Sequence, residues 1–502
     1  MASSDLSIPI LSPSIPNSNN DQQAIGVDDM LRLYAGEFGP WQLRNFIFTS
    51  IAWALNALHT MVVIFADREP TWSCTAELRC SQSMCALIPG TSTAAEWGLV
   101  CDSKYKVGLV QSAFFAGSMV GAGIFGHFSD NFLGRKGTLT LTCIINTISG
   151  ILTSFSPSYG AYMALRFITG ISTGGLGLCA FLLATEPVGP TKRGAIGTST
   201  FYFFSIGTIL LSILAYISSS WRTLYLVSSI PSLLFLITTI PFISESLRWH
   251  LVHNNTSRAM KIIMSIAKCN GNYIPNHITL TLDHTVANES TPDQQAISSS
   301  IITVLKSPIT RTRLLFVTII NLFSSVVYYG LSLNVVNLKT NLYLSVILNA
   351  IAEAPAYALT SIALRWCGRR PLTIGTMWLS GVFCVLGSLF MVDGDARMVC
   401  GVMGVFAMAA TFDLLFVYTA ELFPTVVRNA VLGCVTQAGQ IGAIVAPLVV
   451  ALGGQWPFIV FGACGLIGGV LGFYLPETFN QPLYDTMVGL EKGDLEKEKE
   501  GG

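Results

Sequence analysis

The sequence predicts an all-α membrane protein with twelve transmembrane helices arranged in two halves. Hydrophobic residues make up 51% of the 502 residues and charged residues only 11%, whereas a soluble domain has roughly 25% charged residues. The mean hydropathy is +0.58. The chain also contains twelve mostly apolar stretches of about 20 residues, the length that crosses the hydrocarbon core of a bilayer as a helix. Runs of this kind exclude a β-barrel, whose strands are short and alternate in polarity.

The twelve stretches fall into two sets of six on either side of a polar segment. The interval between them, residues 244–311, combines the pattern of short amphipathic helices with a flexible polar linker, and linkers of this length join two units. We therefore predict a tail at 1–43, a bundle at 44–243, a second bundle at 312–475 and a tail at 476–502. The predicted helices are 44–65, 105–127, 137–156, 160–184, 193–217, 222–243, 312–335, 340–364, 371–391, 397–419, 427–450 and 455–475.

The distribution of positive charge predicts the orientation in the membrane. Of the 28 Lys and Arg residues, 20 lie on the side of the two termini, seven lie on the opposite side and Arg166 lies within a span. Since Lys and Arg accumulate on the cytosolic side, both termini are predicted to be cytosolic. The start of the chain lacks a signal-peptide pattern, so the first helix is expected to direct insertion. The net charge is zero, and no nucleic-acid partner is expected.

Four cysteines lie together in the predicted exterior loop, residues 66–104. They are Cys74, Cys80, Cys85 and Cys101. An even number of cysteines on an oxidising face predicts two disulfides, and all three pairings remain open. The loop has no histidine and its spacing fits no zinc site, so no metal is expected. The disulfides favour the plasma membrane, with the vacuolar membrane as the alternative.

Short charged strings mark the predicted cytosolic ends of the helices. "GHFSDNFLGRKG" from Gly126 joins the second and third helices, and "SIALRWCGRR" from Ser361 echoes it in the second half without the aspartate. A carboxylate at this level can pair with arginine or bind a helix N-terminus. We predict a gating set that forms ion pairs between the bundles. In the alternative interpretation, the basic residues only fix the membrane topology. This set contains Asp130, Arg135, Glu186, Arg193, Glu245, Arg248, Glu421 and Arg428.

Ionisable residues deep in a membrane span are costly and usually functional. Glu353 and Asp413 suit a cavity that accepts a cation. Arg166 either anchors the carboxylate of a zwitterion or pairs structurally with Glu186 or Glu353, and His59 is expected to be a hydrogen-bonded interior residue. Aromatic rings could cage an ammonium group, and amides could bind a substrate carboxylate or hydroxyl. Core packing and helix–helix adhesion are the alternatives for these side chains. The predicted binding set is Glu353, Asp413, Arg166, Tyr202, Tyr328, Tyr329, Trp378, Gln437, Gln440 and Asn56.

An ordered set of strings gives the chain a family resemblance. "ESLRWHL" begins at Glu245, "YYGLSLN" at Tyr328, "AEAPAYALT" at Ala352, "YTAELFPTVVRN" at Tyr418 and "LPET" at Leu475. With these strings the chain resembles the major facilitator superfamily, and within it the plant organic cation/carnitine transporters. The resemblance implies two six-helix bundles and transport of carnitine, choline or polyamines by alternating access. It also implies that Asp130 ties the bundles together on the cytosolic side in the outward-facing state.

The same residues leave other functions open. A proton-coupled sugar porter and an organic-anion or nicotinate carrier share the superfamily, and Arg166 keeps the second of these open. A sensor or a membrane enzyme is a different class, but no nucleophile–base or metal arrangement supports an enzyme. Without a phosphate-binding loop the energy source is the membrane potential or a proton gradient. We expect no cofactor, a monomer in the lipid bilayer, and an organic cation or zwitterion as partner with protons as a second candidate.

Overall fold

The computed structural model describes residues 23–69, 72–74, 85–87, 90–275, 278–281, 301–338, 340–390, 393–481 and 489–490, with only the backbone at 23, 24, 72–74, 85–87, 425, 426 and 429. Twelve apolar helices in these ranges confirm the predicted class. Eleven are long and apolar enough to cross a membrane, and the twelfth has 17 residues, the short end of spanning lengths.

The twelve helices are numbered α1 to α12 in chain order. The first six are α1 (Pro40–Met61), α2 (Tyr105–Asn131), α3 (Gly134–Ser154), α4 (Tyr159–Thr185), α5 (Phe201–Ile217, preceded by a helix at Pro190–Ser199) and α6 (Trp221–Thr238). The second six are α7 (Pro308–Leu333), α8 (Leu342–Ala363), α9 (Arg369–Leu389), α10 (Gly394–Leu422), α11 (Thr425–Ala451) and α12 (Trp456–Gly472).

Local signals explain where several helices begin. The side chains of Ser158, Ser220 and Asn341 accept hydrogen bonds from the first backbone N–H groups of α4, α6 and α8, as expected of N-cap residues. Proline opens α1 and α7, where its missing N–H costs nothing. Pro190 likewise opens the helix before α5 and lies between α4 and α5. Pro355 lies inside α8, which continues through it.

Small residues set the closest helix contacts within each bundle. A Cβ atom at Gly117 or Gly121 of α2 would collide with the backbone of α4 at Phe167 or Ile171. In the second bundle a Cβ at Gly465 of α12 would lie 2.8 Å from the Cα of Gly381 in α9. Interfaces of small residues let membrane helices approach closely and gain dispersion contacts.

The two bundles meet along α2 against α11 and along α5 against α8. The Ser112 hydroxyl of α2 donates to the Ile444 carbonyl of α11 over 2.7 Å. The Ser212 hydroxyl of α5 donates to the Tyr343 carbonyl of α8 over 3.1 Å. We call the end that carries the α1–α2 connection the loop end, and the end that carries the α6–α7 connection the linker end.

At the linker end, residues before α1 fold together with the α6–α7 connection. Strand β1 (Gln23–Gly26) pairs in parallel with the linker strand Ile278–Thr281, with Gln23 opposite Ile278. Helices Leu247–Val252 and Thr256–Cys269 lie in the linker, and a six-residue helix, Ile301–Lys306, precedes α7. The apolar faces of the helices Leu247–Val252 and Thr256–Cys269 share a core with the N-terminal segment, and this core includes Val27, Met30, Leu31, Leu251, Ile263 and Ile266. The predicted tail of residues 1–43 is therefore folded from residue 23 onward.

At the loop end, part of the α1–α2 connection packs against the first bundle. Strands Trp72–Cys74 and Cys85–Leu87 pair antiparallel, with Cys74 opposite Cys85. The helix Thr93–Glu96 follows, and Thr93, Ala94 and Ala95 are buried. Cys101 is disulfide-bonded. Cys80 and the side chains of Cys74 and Cys85 lie outside the described residues, so the pairing of the four stays a prediction.

Candidate functional site

Glu353 lies midway along α8 and faces the other bundle. Its side chain is 5% exposed. One carboxylate oxygen, Oε1, accepts a hydrogen bond from the Tyr328 hydroxyl of α7 over 2.8 Å. The other, Oε2, accepts from the Ser205 hydroxyl of α5 over 2.5 Å. The carboxylate therefore connects the first bundle to the second at mid-membrane.

Aromatic rings from both bundles surround this carboxylate. The ring of Tyr328 lies 5.2 Å from that of Tyr329 and 5.2 Å from that of Phe412, measured between centroids. Phe115 of α2 contacts Tyr329 at 4.8 Å across the bundle interface. On the α5 side, Tyr202 and Tyr357 meet edge to face at 5.5 Å. A mid-membrane carboxylate with tyrosine rings around it suits a cationic group.

Asp413 lies on α10 next to Phe412. Its side chain is 1% exposed, and its Oδ1 has no hydrogen-bond partner among the described residues. A buried carboxylate oxygen without a donor is unfavourable unless a proton or a cation compensates it. Asp413 therefore stays a candidate for the same site.

Arg166 is held inside the first bundle by groups other than the two predicted partners. Its guanidinium donates to the His59 carbonyl over 2.8 Å and to Gln111 Oε1 over 2.9 Å. The guanidinium also lies 4.3 Å above the centre of the Phe114 ring. The structure thus does not pair Arg166 with Glu186 or Glu353. His59 hydrogen-bonds Ser232 at 3.1 Å, as expected for an interior histidine.

Trp378 is a correction to the predicted site. Its indole N–H donates to the Leu466 carbonyl of α12 over 3.2 Å, and its ring packs on Phe473 at 5.6 Å. The side chain is exposed on the outer surface of the second bundle. An aromatic residue within a span carries no signal of which helix face it occupies, so the sequence placed it wrongly.

The predicted amides are not gathered at Glu353 by any hydrogen bond in the structure. Asn56 of α1 accepts from the Thr60 hydroxyl one turn away over 3.0 Å. Gln437 and Gln440 are half-buried on α11, and their substrate contacts stay predictions.

Three site residues were missed by the sequence interpretation. Tyr357 lies one helical turn after Glu353, a spacing that places both on one face of α8. Phe412 directly precedes Asp413, and Ser205 lies three residues after Tyr202. The spacings of Tyr357 and Ser205 were detectable signals, but a serine in an apolar helix is too common to single out.

The charged residues at the linker end of the first bundle form a compact cluster. Arg135 Nε lies 3.2 Å from Glu186 Oε1, and Arg135 Nη2 lies 3.0 Å from Asp130 Oδ1. Glu245 accepts hydrogen bonds from the backbone N–H groups of Arg135 (2.8 Å) and Lys136 (3.0 Å). A carboxylate at a helix N-terminus is stabilised by the unpaired N–H groups and the helix dipole.

The second bundle repeats this arrangement. Arg369 binds Glu421 with two hydrogen bonds, Nε to Oε2 at 2.9 Å and Nη2 to Oε1 at 3.0 Å. Glu477 accepts from the backbone N–H groups of Arg369 (2.9 Å) and Arg370 (3.1 Å) at the start of α9. Arg428 lies in the first turn of α11.

The ion pairs of these clusters correct the prediction of pairs between bundles. Arg135 pairs with acids of the first bundle and Arg369 with an acid of the second. Arg193 and Arg248 instead both bind Asp28 in the N-terminal segment, Arg193 over 2.7 Å. The predicted partners in the opposite bundle are thus not the ones that Arg135 and Arg369 have in this structure, and the gating role of the set stays a prediction.

Comparisons with known proteins agree with this architecture. Residues 37–488 match the family described as "Sugar (and other) transporter". Organic cation/carnitine transporter 4 of Arabidopsis thaliana is 57% identical over 496 residues, covering 96% of this chain and 94% of that protein. The organic cation transporter protein of Drosophila melanogaster is 32% identical over 540 residues, covering 95% and 98%.

A solved structure shows the same fold. The xylose transporter XylE from E. coli, in a partially occluded inward-open conformation, superposes with a TM-score of 0.64 at 16% identity, covering 88% of this chain and 100% of that one. The protein is a transporter of the major facilitator superfamily and belongs to the organic cation/carnitine transporters within the sugar (and other) transporter family.

Proposed function

We propose that this transporter moves small organic cations or zwitterions across a membrane and binds their ammonium group at Glu353. The observation that supports this most is the position of the carboxylate, which is buried, mid-membrane and bonded to both bundles. Removing a carboxylate from water costs several kcal/mol unless an opposite charge compensates it. A bound ammonium group supplies that charge, and the tyrosine rings add about 0.5–2 kcal/mol each.

The bond between Ser205 and Glu353 links binding to movement. It crosses the bundle interface, so an ammonium group that takes the place of the serine hydroxyl removes a contact between the bundles. Alternating access requires such contacts to form and break as one bundle rocks against the other around a central site. Substrate occupancy thereby changes the relative stability of the two orientations.

We further propose that the linker end faces the cytosol. The excess of Lys and Arg at that end supports this orientation, and the cysteine cluster at the loop end supports the plasma membrane. A cation is then drawn into the cell by the membrane potential, by about 2.3 kcal/mol per charge per 100 mV. The chain is proposed to act as a monomer.

Uptake into proteoliposomes tests the proposal. Labelled choline, putrescine and carnitine are compared with glucose and nicotinate, with and without an imposed inside-negative potential or proton gradient. We expect saturable uptake of the cations, increased by the potential, and no uptake of glucose or nicotinate. Uptake of glucose or nicotinate in place of the cations would reject the substrate class.

Two pairs of variants test the site. Glu353→Gln and Asp413→Asn each remove a mid-membrane carboxylate, and cation uptake that survives both together would reject this site.

Tyr328→Phe removes the hydroxyl that bonds Glu353 but keeps the ring. Tyr329→Phe is the matched control, because Tyr329 contributes its ring to the same wall. We expect Tyr328→Phe to raise the Michaelis constant for choline more than Tyr329→Phe does.

A further inference from the structure

A cavity at the loop end lies between the two bundles and apart from Glu353. Its volume is about 310 Å³, and its walls come from α2, the end of α7 with the residues that follow it, α11 and the α1–α2 connection. This is near the lower limit of small-molecule sites, which measure roughly 300–1,000 Å³. Aliphatic side chains form much of the wall, including Val63, Ile64, Leu99, Val107, Leu333 and Val336.

Asp67 is the charge in this cavity that lacks a counterion within the cavity wall. Lys104 and Glu69, the other charged residues that line it among the described residues, pair with each other at 2.9 Å. Asp67 is only 7% exposed. Its Oδ1 accepts hydrogen bonds from Thr93 and, over 2.8 Å, from Tyr162. Its Oδ2 has no hydrogen-bond partner among the described residues.

The polar amides of the cavity are already committed. Gln111 donates to the Thr60 carbonyl over 3.0 Å, and Asn337 donates to the Val450 carbonyl over 3.1 Å. Asn337 also donates to Asn334 Oδ1, so both of its N–H groups are used. An anionic ligand would therefore meet at most one further amide N–H, that of Gln111, and one carboxylate without a counterion in the cavity wall. The aliphatic wall and the single negative charge match a cation with methyl or methylene groups.

An aromatic contact separates this cavity from the mid-membrane carboxylate. Phe115 lies one turn further along α2 than Gln111, and its ring contacts Tyr329 at 4.8 Å. Tyr329 in turn contacts Tyr328, which binds Glu353. The Phe115–Tyr329 pair thus lies about one helical turn beyond the cavity lining of α2 and α7 and next to the tyrosine that binds Glu353.

We propose that Asp67 and this cavity form a second binding site for an organic ammonium cation, which substrate occupies before it reaches Glu353. The order in which the cation occupies the two sites rests on the proposed function, whereas the existence of the second site does not. At this site the cation faces Oδ2 of Asp67 and covers the aliphatic wall with its alkyl groups. Opening of the Phe115–Tyr329 contact then gives the cation access to Glu353.

Equilibrium binding of radiolabelled tetramethylammonium to the purified protein in nanodiscs tests this site. At pH 7.5 we expect two bound cations per chain, and one in Asp67→Asn. Asp102→Asn is the matched control, because Asp102 is an exposed carboxylate beside the same connection and does not line the cavity. Two bound cations in Asp67→Asn, or an equal loss in Asp102→Asn, would overturn the proposal.

A cavity-filling variant gives an independent test. Val336→Trp places bulk in the cavity and leaves Asp67 in place. We expect it to lose one bound cation, as Asp67→Asn does, while the cation at Glu353 is retained as evidence of folding. Retention of both cations in Val336→Trp would contradict the cavity as the binding site.

Acidification should empty the site. Burial raises the pKa of Asp67 to about 6, against the opposing effects of the Thr93 and Tyr162 hydrogen bonds and of Arg166. The other titratable groups nearby among the described residues are Tyr225, which contacts Tyr162, Tyr159 and the Lys104–Glu69 pair. Since the carboxylate is ionised at pH 7.5 and protonated at pH 5, cation binding should fall over this range. Binding in Asp67→Asn should not follow pH in this way, and an unchanged pH profile in the variant would exclude Asp67 as the titrating group.

Glu353→Gln separates this proposal from the proposed function. We expect Glu353→Gln to abolish uptake and to retain the cation at Asp67. If Glu353→Gln transports normally while Asp67→Asn loses one cation, the proposed function fails and the second site stands. If Asp67→Asn binds two cations while Glu353→Gln loses uptake, the second site fails and the proposed function stands.

Discussion

The linker ends of the two bundles can be compared residue by residue. Arg135 in the first bundle and Arg369 in the second each open a helix and each bind a glutamate of the fourth helix of their own bundle. Each side chain also donates to a carbonyl at the end of the preceding helix, Ser129 at 3.1 Å and Leu364 at 3.0 Å. In both halves one more glutamate, Glu245 or Glu477, binds the backbone at the start of the same helix.

Two differences add contacts to the first bundle. Arg135 has a second acidic partner, Asp130. The corresponding stretch of the second half has no aspartate and carries the basic residue Arg365. The first bundle is also bound by the N-terminal segment, since Asp28 contacts Arg193 and Arg248. The shared contacts hold each bundle together as a rigid unit. The unshared ones are where the two halves can differ in gating.

The largest effect is expected from removing the central arginine of either cluster. The side chains of Arg135 and Arg369 are 14% and 16% exposed, so Arg135→Ala or Arg369→Ala leaves a poorly hydrated glutamate without its counterion. Breaking a buried pair in this way costs up to about 3–5 kcal/mol. We expect a marked fall in melting temperature and in uptake for both variants. Lys136→Ala is the control, because the Lys136 side chain makes one long contact, 3.4 Å to the Pro241 carbonyl. An effect in only one half would refute the equivalence of the clusters.

A smaller effect is expected at the glutamates that bind the helix starts. Glu245→Gln and Glu477→Gln keep the shape but remove the charge opposite two backbone N–H groups. Hydrogen bonds to charged groups contribute about 1.5–3 kcal/mol, and a neutral amide retains part of this. Thermal unfolding should show a similar loss in both variants. A clear difference between them would show that the linker, which carries Glu245, supports α3 in a way that the C-terminal segment does not support α9.

Asp28→Asn should act locally and on the first bundle alone. Neutralising Asp28 weakens its bonds to both arginines, at a cost of about 1–3 kcal/mol, while the apolar core of the segment remains. Faster hydrogen exchange is expected in β1 and in the linker strand Ile278–Thr281, with a small change in melting temperature. Asp29→Asn is the matched control, since Asp29 is the adjacent and exposed carboxylate. Equal exchange in the two variants would show that Asp28 does not hold the segment.

Features that depend on composition over many residues could be predicted from the sequence. The twelve helices follow from apolar length, and Glu353 is a candidate from the sequence because an ionisable group within a span is rare. The partners of each charge could not be predicted, because they depend on how neighbouring helices are rotated and packed. Arg135 and Glu186 meet inside one bundle for this reason, and Trp378 faces outward.

The N-terminal segment shows a signal that was overlooked. Val27, Met30 and Leu31 have the i, i+3, i+4 spacing of an apolar helix face. They lie beside a Ser/Asn/Pro-rich stretch, and the polar composition dominated the prediction of a tail. The apolar surface that covers them belongs to a linker more than 200 residues away, and no local pattern identifies such a partner.

Asp130→Asn should have the smallest effect on stability. It should still change uptake, and so show a functional difference between the first and the second half. The Asp130 side chain is 62% exposed, and an exposed ion pair contributes about 0–1 kcal/mol, so the melting temperature should hardly change. Cation uptake should nevertheless fall several-fold if Asp130 contacts the second bundle in another orientation of the transporter. Arg365→Asp introduces an acid at the corresponding position of the second half and tests whether the acid alone confers this role. Normal uptake by Asp130→Asn would reduce Asp130 to a surface partner of Arg135, and the asymmetry in gating would then rest on Asp28.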